Sequence, residues 1–413
     1  MDSRALFVRR TLRFWAVAGL LGLLLGASLR VVANEERPEG PHRVYTPGPL
    51  ALSNLSAQID GARAALERQP RLRDLRAALV GHLLERARFT GAVSDLDAAL
   101  VLAQHRQPAR EGRPSVPHVD ELLLEAGTLA ALHRFPEALA RLDQALAQGA
   151  PLDVVQRERD TITLALGAEP SVLRAIADRR AASARQRPNM RQLVDHAAAL
   201  AALGQLAEAD RLLGRAMEST PDVSPLPIAQ IAFQRGVLAA EHAGDLDAGE
   251  RHYREALRLV PGFVRAAVHL AELEAERGDV ASARARLTKA LASEDPEPAS
   301  RLASLTPEAP LRAELVALAG EHYRVLLARH RAAFLDHALE FALAHGPMHG
   351  EEASSLADEL LAARPNPRSY RLALAAAEAR GDQQGTCALA HAAQPLGATH
   401  PLLAAELAAQ DCP

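Results

Sequence analysis

Lysine is almost missing from this chain: of 47 basic residues only Lys289 is a lysine. Arginine is a good helix former with a long apolar stem, so exposed helix faces lose little by the exchange. Aromatic residues make up 3% of the 413 residues. A core has to be assembled from Ala, Leu and Val, which suits closely packed helices better than β-sandwiches. Neither sign of charge dominates. The net charge is −4 with a pI near 6.5, which leaves no basic footprint for nucleic acid and no polybasic membrane arm. There is no Gly-x-x-x-x-Gly-Lys, no Gly-x-Ser-x-Gly and no His-Glu-x-x-His, so the common phosphate-cradling, serine-nucleophile and zinc-protease patterns are absent. Hydrophobic residues are 48% and charged residues 24%, enough to bury a core and not the composition of a disordered tail.

One uncharged run stands out, Phe14 to Leu29, behind Arg4, Arg9, Arg10 and Arg13. It is short for a bilayer span of roughly 20 residues and fits the apolar core of a secretory signal behind a positive n-region. Val31-Val32-Ala33 predicts cleavage after Ala33, giving a signal peptide over residues 1–33. Arg30 keeps an uncleaved signal anchor open as the alternative. Either outcome carries the remainder across the membrane, to the periplasm or cell envelope of a bacterium, with an inner-membrane anchor if the signal stays attached. Membrane contact is expected through this segment alone. Residues 34–52 are rich in Pro and Gly and read as a linker.

Beyond the linker the chain is helical in pattern and repeats itself. Gly244, Gly249 and Ala256 recur as Gly278, Ala283 and Ala290, each displaced by 34 residues. Gly204, Ala209 and Ala216 share the same internal spacing, as do His133, Ala138 and Ala145. Partial versions occur at Ala92–Ala99 and Ala353–Leu360. This spacing resembles the tetratricopeptide repeat, two antiparallel helices in about 34 residues. The fullest match, residues 264–297, has Leu270 and Ala271 in the Leu-Gly slots, Gly278 at the turn, Ala283 and Ala290 at the small positions and Leu287 at the bulky one. It departs at Ala267 and Glu274, where the family carries aromatics, and the preceding repeat holds one extra residue between Gly236 and Gly244.

The resemblance implies an all-α protein, a solenoid of antiparallel helix pairs over residues 53–411 wound into a right-handed superhelix. Its clearest repeats fall at 117–151, 189–221, 230–261 and 264–297. The small positions are required where helices cross closely, since a Leu there would overpack at about 1–3 kcal/mol. Two stretches, 153–189 and 300–346, are helical without the Ala signature. Scattered acidic residues are expected on solvated faces.

Function is expected to be non-enzymatic, with no cofactor: a scaffold or adaptor for protein partners. In the family, helix A of each repeat lines a concave groove. By position the groove would include Arg191, Val194, Arg235, Arg265, Val268, His269 and Glu272. The family's carboxylate clamp, built on Lys and Asn, is absent, because its slots hold Val194, Ala198, Val268 and Glu272. Two alternatives stay open. One is an accessory subunit of an envelope enzyme. The other is a copper-handling protein using His345, Met348 and His349, since His and Met together suit copper. Cys387 and Cys412 would pair after export; free thiols or a bond between chains remain open.

Overall fold

The computed structural model describes residues 44–105, 117–186, 188–219, 223–346 and 350–412. The expected signal segment, 1–33, lies outside them. Among the described residues there are nineteen α-helices and no strand. They run α1 (Gly48–Arg68), α2 (Arg73–Thr90), α3 (Val93–Gln104), α4 (Val119–Ala131), α5 (Phe135–Ala147), α6 (Leu152–Leu166), α7 (Pro170–Gln186), α8 (Met190–Ala202), α9 (Leu206–Ser219) and α10 (Pro225–Val237). The second half continues as α11 (Leu246–Leu259), α12 (Val264–Glu276), α13 (Val280–Ala290), α14 (Glu297–Ser304), α15 (Ala309–His345), α16 (Glu351–Ala363), α17 (Pro367–Ala379), α18 (Gln383–Gly397) and α19 (Pro401–Ala408). The architecture is an all-α solenoid of helical hairpins. It starts earlier than the sequence suggests: the Pro-rich stretch expected to be linker up to residue 52 is helical from Gly48, because Pro49 sits in the first turn, where a missing N–H costs nothing.

The hairpins are built by a short local code. Gly244, Gly278 and Gly381 each take a positive φ, and the aspartate that follows each caps the next helix. Asp245 accepts from Ala248 N (2.9 Å), Asp279 from Ser282 N (3.1 Å) and Asp382 from Gly385 N (2.8 Å). One residue ends helix A and its neighbour starts helix B. Between the arms, Ala209, Ala216, Ala256 and Ala283 are fully buried and Ala290 nearly so. Where a larger residue enters, its partner shrinks. Tyr253 lies against Gly236, where an added Cβ would stand 2.4 Å from its ring. Where the Ala signature lapses, between α6 and α7, arginines span the gap. Arg179 donates to Asp160 at 2.6 Å, and Arg180 donates to the Arg157 carbonyl at 2.9 Å.

The second irregular stretch is a hairpin of another kind. Residues 309–345 form two helical arms that reverse at His330 (φ −132°, ψ 44°), so that Tyr323 and Phe341 face each other with centroids 5.1 Å apart.

The solenoid coils back on itself, and its first half meets its second along a seam. Thr46 N donates to the Val223 carbonyl (2.9 Å), and Phe89 packs edge-on against Phe263 (4.6 Å). Ser94 N donates to Glu294 (2.7 Å), Asp97 faces His330 (2.8 Å) and Asn366 Nδ2 donates to the Ala165 carbonyl (2.9 Å). One hydrophobic core consequently contains both α1–α3 and α10–α12, with Leu55, Ile59, Leu79 and Leu83 against Phe233, Tyr253 and Phe263. Hairpin tips of the early repeats press on the corners that lead into later helices. Gly204 is the sharpest case: with φ +74°, an added Cβ would lie 2.7 Å from the Thr399 carbonyl oxygen.

Cys387 and Cys412 are joined by a disulfide. It ties the chain end beyond α19 to α18 and closes a loop of 25 residues, worth about 3 kcal/mol in chain entropy.

Two glycines separate local from long-range demands. Gly278 also has a positive φ (+86°) but open space around it. Gly278→Ala is expected to cost about 1–2 kcal/mol from backbone conformation alone. Gly204→Ala is expected to cost about 1 kcal/mol more, since the seam must also shift. Urea unfolding of the two variants beside wild type measures the difference, and equal losses would mean the seam contact carries no weight.

Candidate functional site

The extra residue between Gly236 and Gly244 has a structural outcome. The end of α10 opens into a π-helical turn, Leu238–His242, in which Ala243 N donates to the Leu238 carbonyl five residues back (3.1 Å). Single π turns absorb an insertion and re-aim the side chains beside it. Here Glu241 is aimed at α12: its Oε1 accepts from Tyr253 Oη (3.3 Å) and lies 3.0 Å from His269 Nδ1.

From that contact a charged network spreads over the inner face of the later repeats. His269 Nδ1 is also 3.6 Å from Glu272, whose other oxygen is 2.7 Å from Arg301 Nε on α14. Arg301 Nη2 donates to Glu340 (2.5 Å) and to Glu297 (3.4 Å). His337 Nδ1 stands 3.5 Å from Glu297. Arg368 on α17 donates to Glu340 (2.6 Å) and is 3.3 Å from Asp336 and 3.7 Å from Glu241. Arg364 donates to Asp336 (3.1 Å) and to His133 Nδ1 (2.7 Å) at the tip of the α4–α5 hairpin. Side-chain exposure runs from 7% at Arg364 to 40% at Arg368. These groups form one partly exposed network that joins the later repeats to the α4–α5 tip.

Electrostatics reflect that partial burial. Burial works against a charged imidazole at His337, but Asp336 and Glu297 outweigh it and lift its pKa to about 9. Burial would raise the Glu241 carboxyl, yet His269 and Arg368 bring it down to about 2. His269 is raised despite burial, by Glu241 first and then Glu272. Burial lifts the Glu272 carboxyl, with Arg301 and His269 working against it. Five acidic side chains (Glu241, Glu272, Glu297, Asp336, Glu340) thus meet five basic ones (His269, Arg301, His337, Arg364, Arg368). Buried charges persist only when paired in this way. Glu297, His337 and Glu340 also bring one ligand atom each within 4.8 Å of the others. Arg301 already bridges the two carboxylates, and a protonated imidazole is no metal ligand.

Of the groove residues expected from sequence, His269 and Glu272 stand in this network. Arg265 is exposed beside it, its guanidinium 5.1 Å above the Phe233 ring. Val268 requires correction: it is fully buried among Ala271, Ala283 and Leu287, because that side of α12 faces α13. Val194 is half-buried against the α7–α9 core. Arg235 reaches back to α9 in a bidentate pair with Asp210 (2.7 and 2.8 Å). Arg191 is exposed in the first turn of α8. His345 Nε2 is 3.0 Å from the Ser300 carbonyl; Met348 and His349 lie outside the described residues.

Sequence reasoning missed Glu241, Glu297, Arg301, Asp336, His337, Glu340, Arg364 and Arg368. All but Glu241 and Glu297, the last residue of the fullest repeat, lie where the repeat signature fades, so no slot assigned them. The insertion before Gly244 was a usable signal for Glu241. Acidic residues expected on solvated faces are buried at Asp95, Glu121, Glu125, Asp160, Glu274 and Glu297, most of them answered by an arginine on a neighbouring helix, as Glu125 is by Arg141 and Glu274 by Arg286.

A family model described as Tetratricopeptide repeat matches residues 240–306, the segment that runs from the π turn through α14. No curated protein matches the chain. Among solved structures, yeast Tom70 is similar at 12% identity and a TM-score of 0.41, over 87% of this chain and 86% of that one. A tetratricopeptide repeat protein from Parabacteroides merdae gives 16% identity and 0.35, over 70% and 96%. The Cut9–Hcn1 hetero-tetramer of the APC/C gives 13% and 0.31, over 82% and 77%. At these values no property of theirs is transferred to this chain.

The raised His337 has a consequence in the stability curve. A histidine whose pKa is higher folded than unfolded contributes fully below the unfolded value, about 6.5, and loses that contribution as pH rises through about 9. Urea midpoints measured between these two pH values are expected to fall with rising pH, and His337→Gln is expected to flatten the slope. A wild-type midpoint constant across that window would mean His337 is not charged in the folded protein.

Proposed function

We propose that this chain, whose residues 240–306 are tetratricopeptide repeats, is a protein-interaction scaffold that holds a polar segment of a partner in the concavity of its later repeats. One observation carries this reading. Side chains from the π turn, α12, α14, the second arm of α15 and α17 converge in a single charged network whose members stay up to 40% exposed. The network is rich in both signs of charge, so it suits a partner segment that also carries both. A polar partner can exchange with the existing pairs at modest net cost, which favours specificity over raw affinity. Arg265 is exposed with its guanidinium carbon 5.1 Å from the Phe233 ring centroid, a natural first contact for a partner carboxylate.

The finer proposal places the scaffold beyond the inner membrane, in the bacterial cell envelope. Supporting it are the positive segment and apolar run at the N-terminus and the bonded pair Cys387–Cys412, which belongs in an oxidising compartment.

The test is crosslinked capture of the tagged protein from its native envelope, with Arg265→Glu alongside. A stoichiometric partner present with wild type and reduced at least about ten-fold with the folded variant is the expected result. A partner retained equally by both would move the contact away from this surface, and recovery of the protein only from the cytosol would end the envelope assignment.

A further inference from the structure

The seam between the two halves of the coil is not uniform. At one end α1–α3 and α10–α12 share a hydrophobic core through Phe89 and Phe263. At the other end, from the α4–α5 tip to α19, contacts are polar; one of them ends on an unprotonated imidazole nitrogen, and a second such nitrogen caps α19 next to Thr399, the residue that Gly204 presses on. Arg364 Nη1 donates to His133 Nδ1 at 2.7 Å. His400 Nδ1 accepts from Leu403 N at 3.2 Å as the N-cap of α19, while its ring stands 5.0 Å from that of His242 in the π turn. A proton can be added to either acceptor only by turning it into a donor that faces another donor.

We propose that the polar end of this seam is an acid-released clasp: protonation of His133, His242 and His400 parts the early hairpin tips from the later corners, with the aromatic core as the hinge, and opens the concavity. The proposal concerns the shape of the coil and stands whatever the concavity binds.

The surroundings of each imidazole support this direction. His133 stacks on Phe135 and faces Arg364, with Arg265 and His337 as further cations and Asp336 as the one opposing charge. His242 faces Glu241, Arg371 and His400. His400 faces His242 and Arg371, with Glu241 farther away. Burial first, and then these cations, hold His133 and His400 down at about 4, and burial likewise lowers His242. Parting the seam returns such a group toward its ordinary value near 6.5, so at about pH 5 each of His133 and His400 favours the open form by about thirty-fold.

The experiment is small-angle scattering of the purified full chain between about pH 7.5 and about pH 5, with far-UV circular dichroism on the same samples. Expected is a reversible rise in radius of gyration at unchanged helicity. The comparison variant is His133→Asn/His400→Asn. Asn tolerates the positive φ of residue 133 (56°) and is a good helix N-cap at 400; the variant is expected to keep the compact radius at both pH values. An unchanged wild-type radius, an expansion that only accompanies loss of helicity, or a folded variant that expands like wild type would each overturn the clasp. Should the double variant fail to fold, hydrogen exchange of wild type at the lower pH decides. Protection lost selectively in 130–136 and 399–408 supports the proposal, and uniform loss overturns it.

Discussion

The contact between Phe89 and Phe263 is the constraint on which the rest of the molecule depends. Both rings are fully buried, at the tip of an early hairpin and at the start of a late one. In a chain with so few aromatics, Phe233 and Tyr253 join them, and His269 lies against both of these rings. Each buried ring contributes about 1.5–3 kcal/mol of transfer free energy, and each favourable ring pair about 0.5–1.5 kcal/mol beyond that. A solenoid whose repeats touched only their neighbours would have no such hub. Here the hub fixes where the coil closes, and every polar contact along the seam is placed by it.

The same closure explains the arrangement of charge. Once the later repeats curve around an inner surface and the early hairpins cover one edge of it, carboxylates and guanidiniums on that surface lose much of their water. Each must find an opposite charge, and the net result is a mixed set in which both histidines are raised by the carboxylates they face, His337 to about 9. The π turn serves the same end. Without the inserted residue Glu241 would not reach His269 and Tyr253, and the set would lack one carboxylate. A surface arranged in this way is ordered before any partner arrives, which lowers the conformational cost of holding one.

Much of the local architecture was legible in the sequence. The 34-residue displacement of Gly244, Gly249 and Ala256 predicted close helix crossings, and the Gly-Asp pairs are both stop and start signals. The irregular stretches showed their helicity but not their form. Nothing in the pattern around His330 marks a reversal, because the residue obeys a contact with Asp97 more than two hundred positions away. Val268 was placed in the groove by family position, whereas its side of α12 is decided by the neighbour helix. Glu297, Arg301 and His337 escaped notice because charged residues on a helix look alike in sequence whether they face bulk water or an enclosed concavity.

The sequence by itself determined the helices, their turns and the close packing within each pair, since these rest on interactions spanning fewer than about 34 residues: propensity, capping and the exclusion of bulk at a crossing. Only the tertiary structure decided that the coil closes on itself, which glycines serve the seam as well as the turn, and which charges share the inner surface. Those outcomes depend on small angles between successive pairs that accumulate over many repeats, and no single repeat encodes their sum.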